Sequence, residues 1–409
     1  MSYCENYYRL ANAFKNDEKF VVKDKEMKFY SVQFNSSNSD VNCYEHKIFE
    51  SGYLLNVLLN YFLNNNSFSK KYIFPCGCDS NSFFDCNNNF TYKMLHPCEG
   101  KPAEEIVIIL HGLNERDWFK YLTWAEKIYK ETGKSIILFP ISFHMDRAPI
   151  EWSASRIMNE VSKERKNLIP NLTLSSYANA ALSTRMNFEP ERFFLSGIQS
   201  YLDIIQFIEE IKAGKHKLIS QNAKIDLFGY SAGAFLGELL MMGNYKNYLS
   251  DSKIFVFCGG SVVEEMYPSS KSILDSEATE IMKKYYTDNF EENIKNNDYV
   301  REKYYKHEEI SLIFKSMLSL DKMKNLRNTL LHGISNRIKV TVLKKDKVFS
   351  LRGIKETFEP LPKECINLLD FDFNYTHEKP FQDKCSYDNK VTEAFNYIFE
   401  DVSSFFKNN

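Results

Sequence analysis

The sequence predicts an α/β fold on a mostly parallel, doubly wound sheet, and three observations carry that expectation. After Gly100, short apolar runs alternate with longer amphipathic stretches, the order that buries a parallel sheet beneath helices on both faces. Gly229-Tyr230-Ser231-Ala232-Gly233 joins the short, largely apolar run Ile225 to Phe228 directly to a helical one, the setting of a tight strand-to-helix turn. The chain has 409 residues, 44% of them apolar, with 33 Phe and 25 Tyr. That is enough core for one large decorated domain or two, and it excludes a disordered chain.

The elements follow in order. Residues 1–100 are rich in Asn, Tyr and Phe with weak periodicity, and read as an N-terminal extension. Within them Ile48 to Leu63 has helical spacing, while Asn64–Asn66 and Asn87–Asn89 read as loops. Residues 101–409 read as the α/β domain. Ile106 to Leu110 is a buried strand, Asp117 to Thr132 a helix stopped by Gly133, and Ser135 to Pro140 the next strand. Residues 141–199 break the pattern and read as an insertion too long for a simple connection. Tyr201 to Ile211 is helical, Ile225 to Phe228 a strand, Ala232 to Gly243 a helix and Ile254 to Cys258 a strand. Residues 269–333 are charged and mostly helical, with Tyr285, Tyr286, Tyr304 and Tyr305 in pairs, and read as an inserted helical cap. Ile338 to Leu343 resumes the sheet, Cys365 to Phe371 closes it and Val391 to Phe406 is the terminal helix.

The chemistry concentrates at two places. Gly229 and Gly233 allow a sharp turn that exposes Ser231 above the sheet, the geometry a serine nucleophile needs. His111-Gly112-Leu113-Asn114 directly follows the strand that ends at Leu110. An oxyanion hole needs two backbone N–H groups aimed at one point, and Leu113 and Ala232 are placed to supply them, with His111 and Gly112 shaping the turn.

From about Lys101 to Asn409 these motifs resemble the α/β-hydrolase superfamily, and in particular poorly characterised bacterial members. The resemblance implies a nucleophile, an acid and a base in that chain order. Ser231 is then the nucleophile. Asp346, just after the strand Ile338 to Leu343, is the acid, and His377, on a loop before the last helix, is the base. Asp275, Asp370 and Asp372 compete for the acid position, and His332 for the base. The implied reaction is cleavage of a carboxylic ester or thioester of a small-molecule acyl substrate through an acyl-serine. An acyltransferase and a non-catalytic binding module are the alternatives on the same scaffold.

Other features set bounds. Lys and Arg total 52 against 54 Asp and Glu, a net charge of −2, which argues against a nucleic-acid partner. No transmembrane segment or signal peptide is expected. Nine cysteines without a scaffold pattern suit a cytoplasmic compartment. Cys76-Gly77-Cys78, Cys86, His96 and Cys98 lack the usual zinc-ligand spacing, and no phosphate-cradling glycine loop occurs, so no metal and no cofactor is expected. His144, Asp146 and Arg147 lie at the sheet's carboxyl edge, as pocket walls, as a hold for an anionic substrate group or as a salt-bridged support. The sequence does not yield an oligomeric state.

Overall fold

The computed structural model describes residues 1–41, 68–73, 85–383 and 388–407. Nine strands form one sheet: β1 (Phe20–Val22), β2 (Lys25–Asn35), β3 (Asn89–Pro97), β4 (Ala103–Leu110), β5 (Ser135–Phe139), β6 (Ile219–Tyr230), β7 (Ile254–Phe257), β8 (Ile338–Leu343) and β9 (Ile366–Leu369). Their order is β1-β2-β3-β5-β4-β6-β7-β8-β9. The pairs from β5 through β9 are parallel, and those from β1 through β3 to β5 are antiparallel. With the strand-to-helix turn after β6, this is the α/β-hydrolase fold.

The apolar runs explain the layers. Along β4, Ile106, Ile108 and Leu110 enter one core while Val107 and Ile109 enter the other. A strand buried on both faces has no need of polar alternation. One face is covered by α1 (Tyr3–Lys15), α2 (Phe119–Thr132) and, at the end of the chain, a helix over Asp388–Lys407. Gly133 ends α2 in the left-handed region, φ 80°, where glycine carries no Cβ penalty. The opposite face is covered by α3 (Arg192–Lys212) and α4 (Ala232–Gly243).

Two expectations need correction. Among the described residues before Gly100, β1, β2 and β3 extend the sheet itself. The 11-residue β2 pairs along its length with β3, and Met27, Phe29 and Phe34 are buried between polar neighbours. Asn87 does not belong to a solvated loop. It is 1% exposed, and its amide links Gln199 to Ser142 and the Phe143 N–H. Ile48 to Leu63 and Asn64–Asn66 lie outside the described residues.

Residues 269–333 run between β7 and β8 and are largely helical. Within it Ile313, Phe314 and Met317 are buried in the core against α4. The tyrosine pairs form no common rim. Tyr286 is buried, donates to the Pro190 carbonyl at 2.7 Å and accepts from the Phe194 N–H at 2.9 Å, whereas Tyr305 is 62% exposed.

Candidate active site

The turn after β6 sets the centre of the site. Ser231 has φ 56° and ψ −120°, a conformation costing an ordinary residue about 1–3 kcal/mol. The surrounding backbone holds it there. A Cβ on Gly229 would sit 2.4 Å from the Ala234 Cα, and one on Gly233 would sit 2.1 Å from the Leu110 carbonyl oxygen. Neither glycine can be replaced without moving backbone. The Ser231 N–H donates to the Phe257 carbonyl at 3.2 Å, fastening the turn to β7.

His377 lies between Ser231 and Asp346. Its Nε2 is 2.7 Å from the Ser231 Oγ and its Nδ1 is 2.7 Å from the Asp346 Oδ2. An ionised carboxylate only accepts, so Nδ1 carries the proton and Nε2 is free to accept from the serine hydroxyl. The other Asp346 oxygen accepts from the Val348 and Phe349 N–H groups at 2.8 and 3.2 Å. This leaves the carboxylate one orientation. The imidazole is held from its faces and from its backbone. Tyr230 stacks on it with centroids 5.5 Å apart and planes 13° apart, and donates its hydroxyl to the His377 carbonyl. The Phe349 ring lies 5.5 Å away. Burial and the nearby Asp346 charge push the Cys258 thiol well above its ordinary value, so it stays protonated.

The loop after β4 lies against this row. A Cβ on Gly112 would come within 3.3 Å of the Ser231 Cβ, so a larger residue there would have to push Tyr230 or the turn back by a few tenths of an ångström. The Gly112 N–H donates to the Tyr121 hydroxyl at 3.0 Å, which leaves Leu113 as the loop's next donor. Ala232 opens α4, where an N–H has no intrahelical acceptor. His111 acts as a strut: its Nε2 accepts from the Ile141 N–H at 2.9 Å, so its Nδ1 donates to the Gly112 carbonyl at 2.8 Å. Burial holds this imidazole well below its ordinary value, hence neutral.

The competing residues are occupied elsewhere. Asp275 is paired with Arg165 at 2.7 Å and caps the helix Ser276–Lys283. Asp370 accepts from the Tyr375 hydroxyl at 2.9 Å, and Asp372 pairs with Lys390 at 2.5 Å on the surface. His332 belongs to a different helix, Lys324–Gly333. Arg147 is fully buried, pairs with Asp203 at 2.6 Å and donates to two carbonyls, so it is a support. Asp146 holds Thr91 and Lys93. His144 lines the cavity wall, held down to about 4 by burial.

Two cavities meet beside Leu113 and Ala232. One, of about 660 Å³, is lined by Ser231, Leu113 and Ala232 together with Met266, Ile273 and Met282. Residues 269–333 therefore reach the site, through Ile273, Leu274, Thr279 and Met282 here and through Phe314 in the second cavity. The second, of about 670 Å³, shares Leu113, Phe193, Ala232 and Phe235 and continues to Arg185. Sequence reasoning missed Tyr230, whose place inside the Gly-x-Ser-x-Gly motif marked it, and Arg185, which nothing in the local pattern marks.

Among the described residues no group of His, Cys, Asp and Glu is arranged to hold a metal, and no helix is long and apolar enough to cross a membrane. Cys86 instead donates to the Arg147 carbonyl, and His96 bonds Ser135 at 2.8 Å. Cys76-Gly77-Cys78 lies outside the described residues.

A family model described as a family of unknown function, DUF6051, matches residues 1–407. No curated protein matches. Among solved structures, the chain is similar to carboxyl esterase 2 of the fungus Tuber melanosporum, at 10% identity and TM-score 0.42, over 77% of this chain and 82% of that one. It is likewise similar to a thermostable esterase from Pseudomonas putida, at 8% identity and TM-score 0.41, over 100% and 92%. An esterase from the archaeon Pyrobaculum calidifontis matches at 11% identity and TM-score 0.36, over 78% and 81%. At these values the fold rests on the strand order and the turn at Ser231, and the chemistry on the residues around it.

Proposed function

The chain belongs to the DUF6051 family, whose description assigns no activity, and from the geometry we propose a serine hydrolase of carboxylic esters or thioesters. The observation that carries the reading is His377 bonded at 2.7 Å to both Ser231 and Asp346, with Ser231 held in a strained turn. Such strain persists where surrounding structure enforces it, and it concentrates at functional sites.

In this reading Ser231 Oγ attacks the substrate carbonyl carbon while His377 Nε2 takes its proton. The carbonyl oxygen becomes an oxyanion, which the Leu113 and Ala232 N–H groups receive. Asp346 keeps the imidazole in the required tautomer and stabilises the imidazolium that forms. Collapse breaks the bond to the leaving oxygen or sulfur, which takes the proton from His377. Water then attacks the acyl-Ser231 ester, giving its proton to His377, and the same steps in reverse order release the acid and restore the serine. No step calls for a cofactor or a metal. The nine unpatterned cysteines make a cytoplasmic setting part of the reading.

The test is covalent labelling by a fluorophosphonate together with hydrolysis of short p-nitrophenyl esters. Wild type should label and turn over, and Ser231→Ala should do neither while melting at a similar temperature. Loss of a triad serine elsewhere costs about a million-fold. Comparable ester hydrolysis by the alanine variant overturns the assignment of the nucleophile. Failure of wild type to label points to a non-catalytic module.

A further inference from the structure

The cavity beside Ala232 has walls of Leu182, Met186, Phe193, Leu236 and Phe314, yet Arg185 also lines it. Arg185 is 4% exposed. Among the described residues no acceptor reaches it, and its Nη2 is a buried donor without a partner. The other deeply buried arginines differ. Arg147 has Asp203 and two carbonyls. Arg165 has both oxygens of Asp275. Arg327 donates to the Ser316, Ser319 and Leu320 carbonyls. What Arg185 has is aromatic: its guanidinium carbon lies 4.3 Å from the Phe143 and the Trp152 ring centroids.

Ring faces attract a cation but accept none of its five N–H bonds in the way an oxygen does. A buried charge left without hydrogen bonds is costly. Burial and the neighbouring charge of Arg192 push this guanidinium well below its ordinary value, and Glu189 opposes them. The second cation of the cavity, Arg192, is engaged by the Glu189 carboxylate. One guanidinium without an oxygen partner in the wall of an apolar cavity matches one planar monoanion. A phosphate dianion calls for more positive charge than remains there.

We propose that Arg185 binds a carboxylate at the far end of the substrate's acyl chain, so that the preferred substrates are monoesters or monothioesters of aliphatic dicarboxylic acids. This rests on the serine-hydrolase reading for its chemistry, though the binding site itself does not. The chain methylenes lie along the apolar walls, the scissile carbonyl reaches Leu113 and Ala232, and the terminal carboxylate meets the fork.

The experiment compares p-nitrophenyl monoesters of succinic through suberic acid with neutral acyl esters of equal length. For at least one length, wild type should favour the anionic ester in kcat/KM by about 10- to 100-fold, the worth of a hydrogen-bonded charge. Arg185→Met should collapse that ratio, and Arg185→Lys, which keeps the charge without the fork, should retain part of it. A wild-type ratio at or below one for every length, or a ratio unchanged in both variants, overturns the proposal. Calorimetric binding of the free dicarboxylates to Ser231→Ala protein reads the site without any chemistry. Binding that Arg185→Lys weakens supports the proposal even if no ester is hydrolysed, in which case only the hydrolase reading falls. Absence of binding at millimolar dicarboxylate overturns it.

Discussion

At Asp346 the two carboxylate oxygens are not equivalent, and the difference makes a single-atom prediction. One oxygen is claimed by the Val348 and Phe349 N–H groups, the other by His377. In Asp346→Asn the amide carbonyl must stay with the two N–H donors, because an NH₂ there would face donors with a donor. The NH₂ is then turned toward His377 Nδ1, which must accept. That tautomer puts the ring proton on Nε2, facing Ser231, where it cannot take the hydroxyl proton. The expected outcome on the proposed mechanism is a fall of about 10⁴-fold in kcat, with the melting temperature little changed. Activity within tenfold of wild type would show that Asp346 does not set the tautomer. Much of this row was legible beforehand, since Ser231 is flanked by the glycines a sharp turn demands and Asp346 and His377 follow late apolar runs. Arg185 was not. A buried arginine is recognised by the partner it lacks, and no spacing within Ala-Leu-Ser-Thr-Arg-Met-Asn-Phe encodes that. Arg147 shows the same limit, its partner Asp203 lying on a helix 56 positions along the chain.

Helix α4 shows how an element is placed by what its glycines leave out. Its small residues bring it close beneath β4 and β7, but they are not equivalent. A Cβ at Gly233 would overlap the Leu110 carbonyl group at 2.1–2.3 Å, and that backbone belongs to the central strand. A Cβ at Gly237 would meet the tip of the Ile254 side chain at 2.6 Å, which can rotate aside. Gly233→Ala should therefore destabilise by about 3 kcal/mol or more, since overpacking against backbone has no cheap relief. Gly237→Ala should lie within about 1 kcal/mol of wild type, because the cost of moving Ile254 is offset by the gain of alanine over glycine in a helix. Urea denaturation of both variants checks the ranking, and a reversal would mean that α4 is not seated on β4. The bounds of α4 and β8 could be read from the sequence because their patterns are local. The antiparallel pair β2 and β3 could not, because Met27 and Phe29 enter one core and Phe34 the other, so the buried residues of β2 keep no single alternation.

Across the whole molecule, buried titratable groups of two kinds pull stability in opposite directions as pH changes. The imidazoles of His96, His111, His144, His216 and His307 all lie below the ordinary value, chiefly through burial, with His144 and His216 at about 4. In the unfolded chain each takes a proton near pH 6.5. Each folded-state value is depressed, so the stability it contributes is present above about 6.5 and is lost as pH falls toward the folded value. The slope approaches about 1.4 kcal/mol per pH unit for a fully buried imidazole. Glu238 does the reverse. It is wholly buried on α4, neither carboxyl oxygen has a partner among the described residues, and burial raises its carboxyl well above the ordinary value. Its contribution is present at low pH and is lost as pH rises through about 4.5 and beyond, because the unfolded chain then ionises freely. Glu115, raised by burial against the opposing charge of Lys120, acts in the same direction. Five histidines against these two carboxyls leave a net loss on acidification. The urea midpoint should fall between pH 7 and pH 5. Glu238→Met, which keeps the volume and removes the ionisable group, should be more stable than wild type at pH 7. Its advantage should shrink toward pH 5, so its own decline with acid should be the steeper of the two. A midpoint that holds or rises on acidification would show that these imidazoles are protonated within the fold, and a Glu238→Met variant weaker than wild type at pH 7 would show that the carboxyl has a partner in the interior.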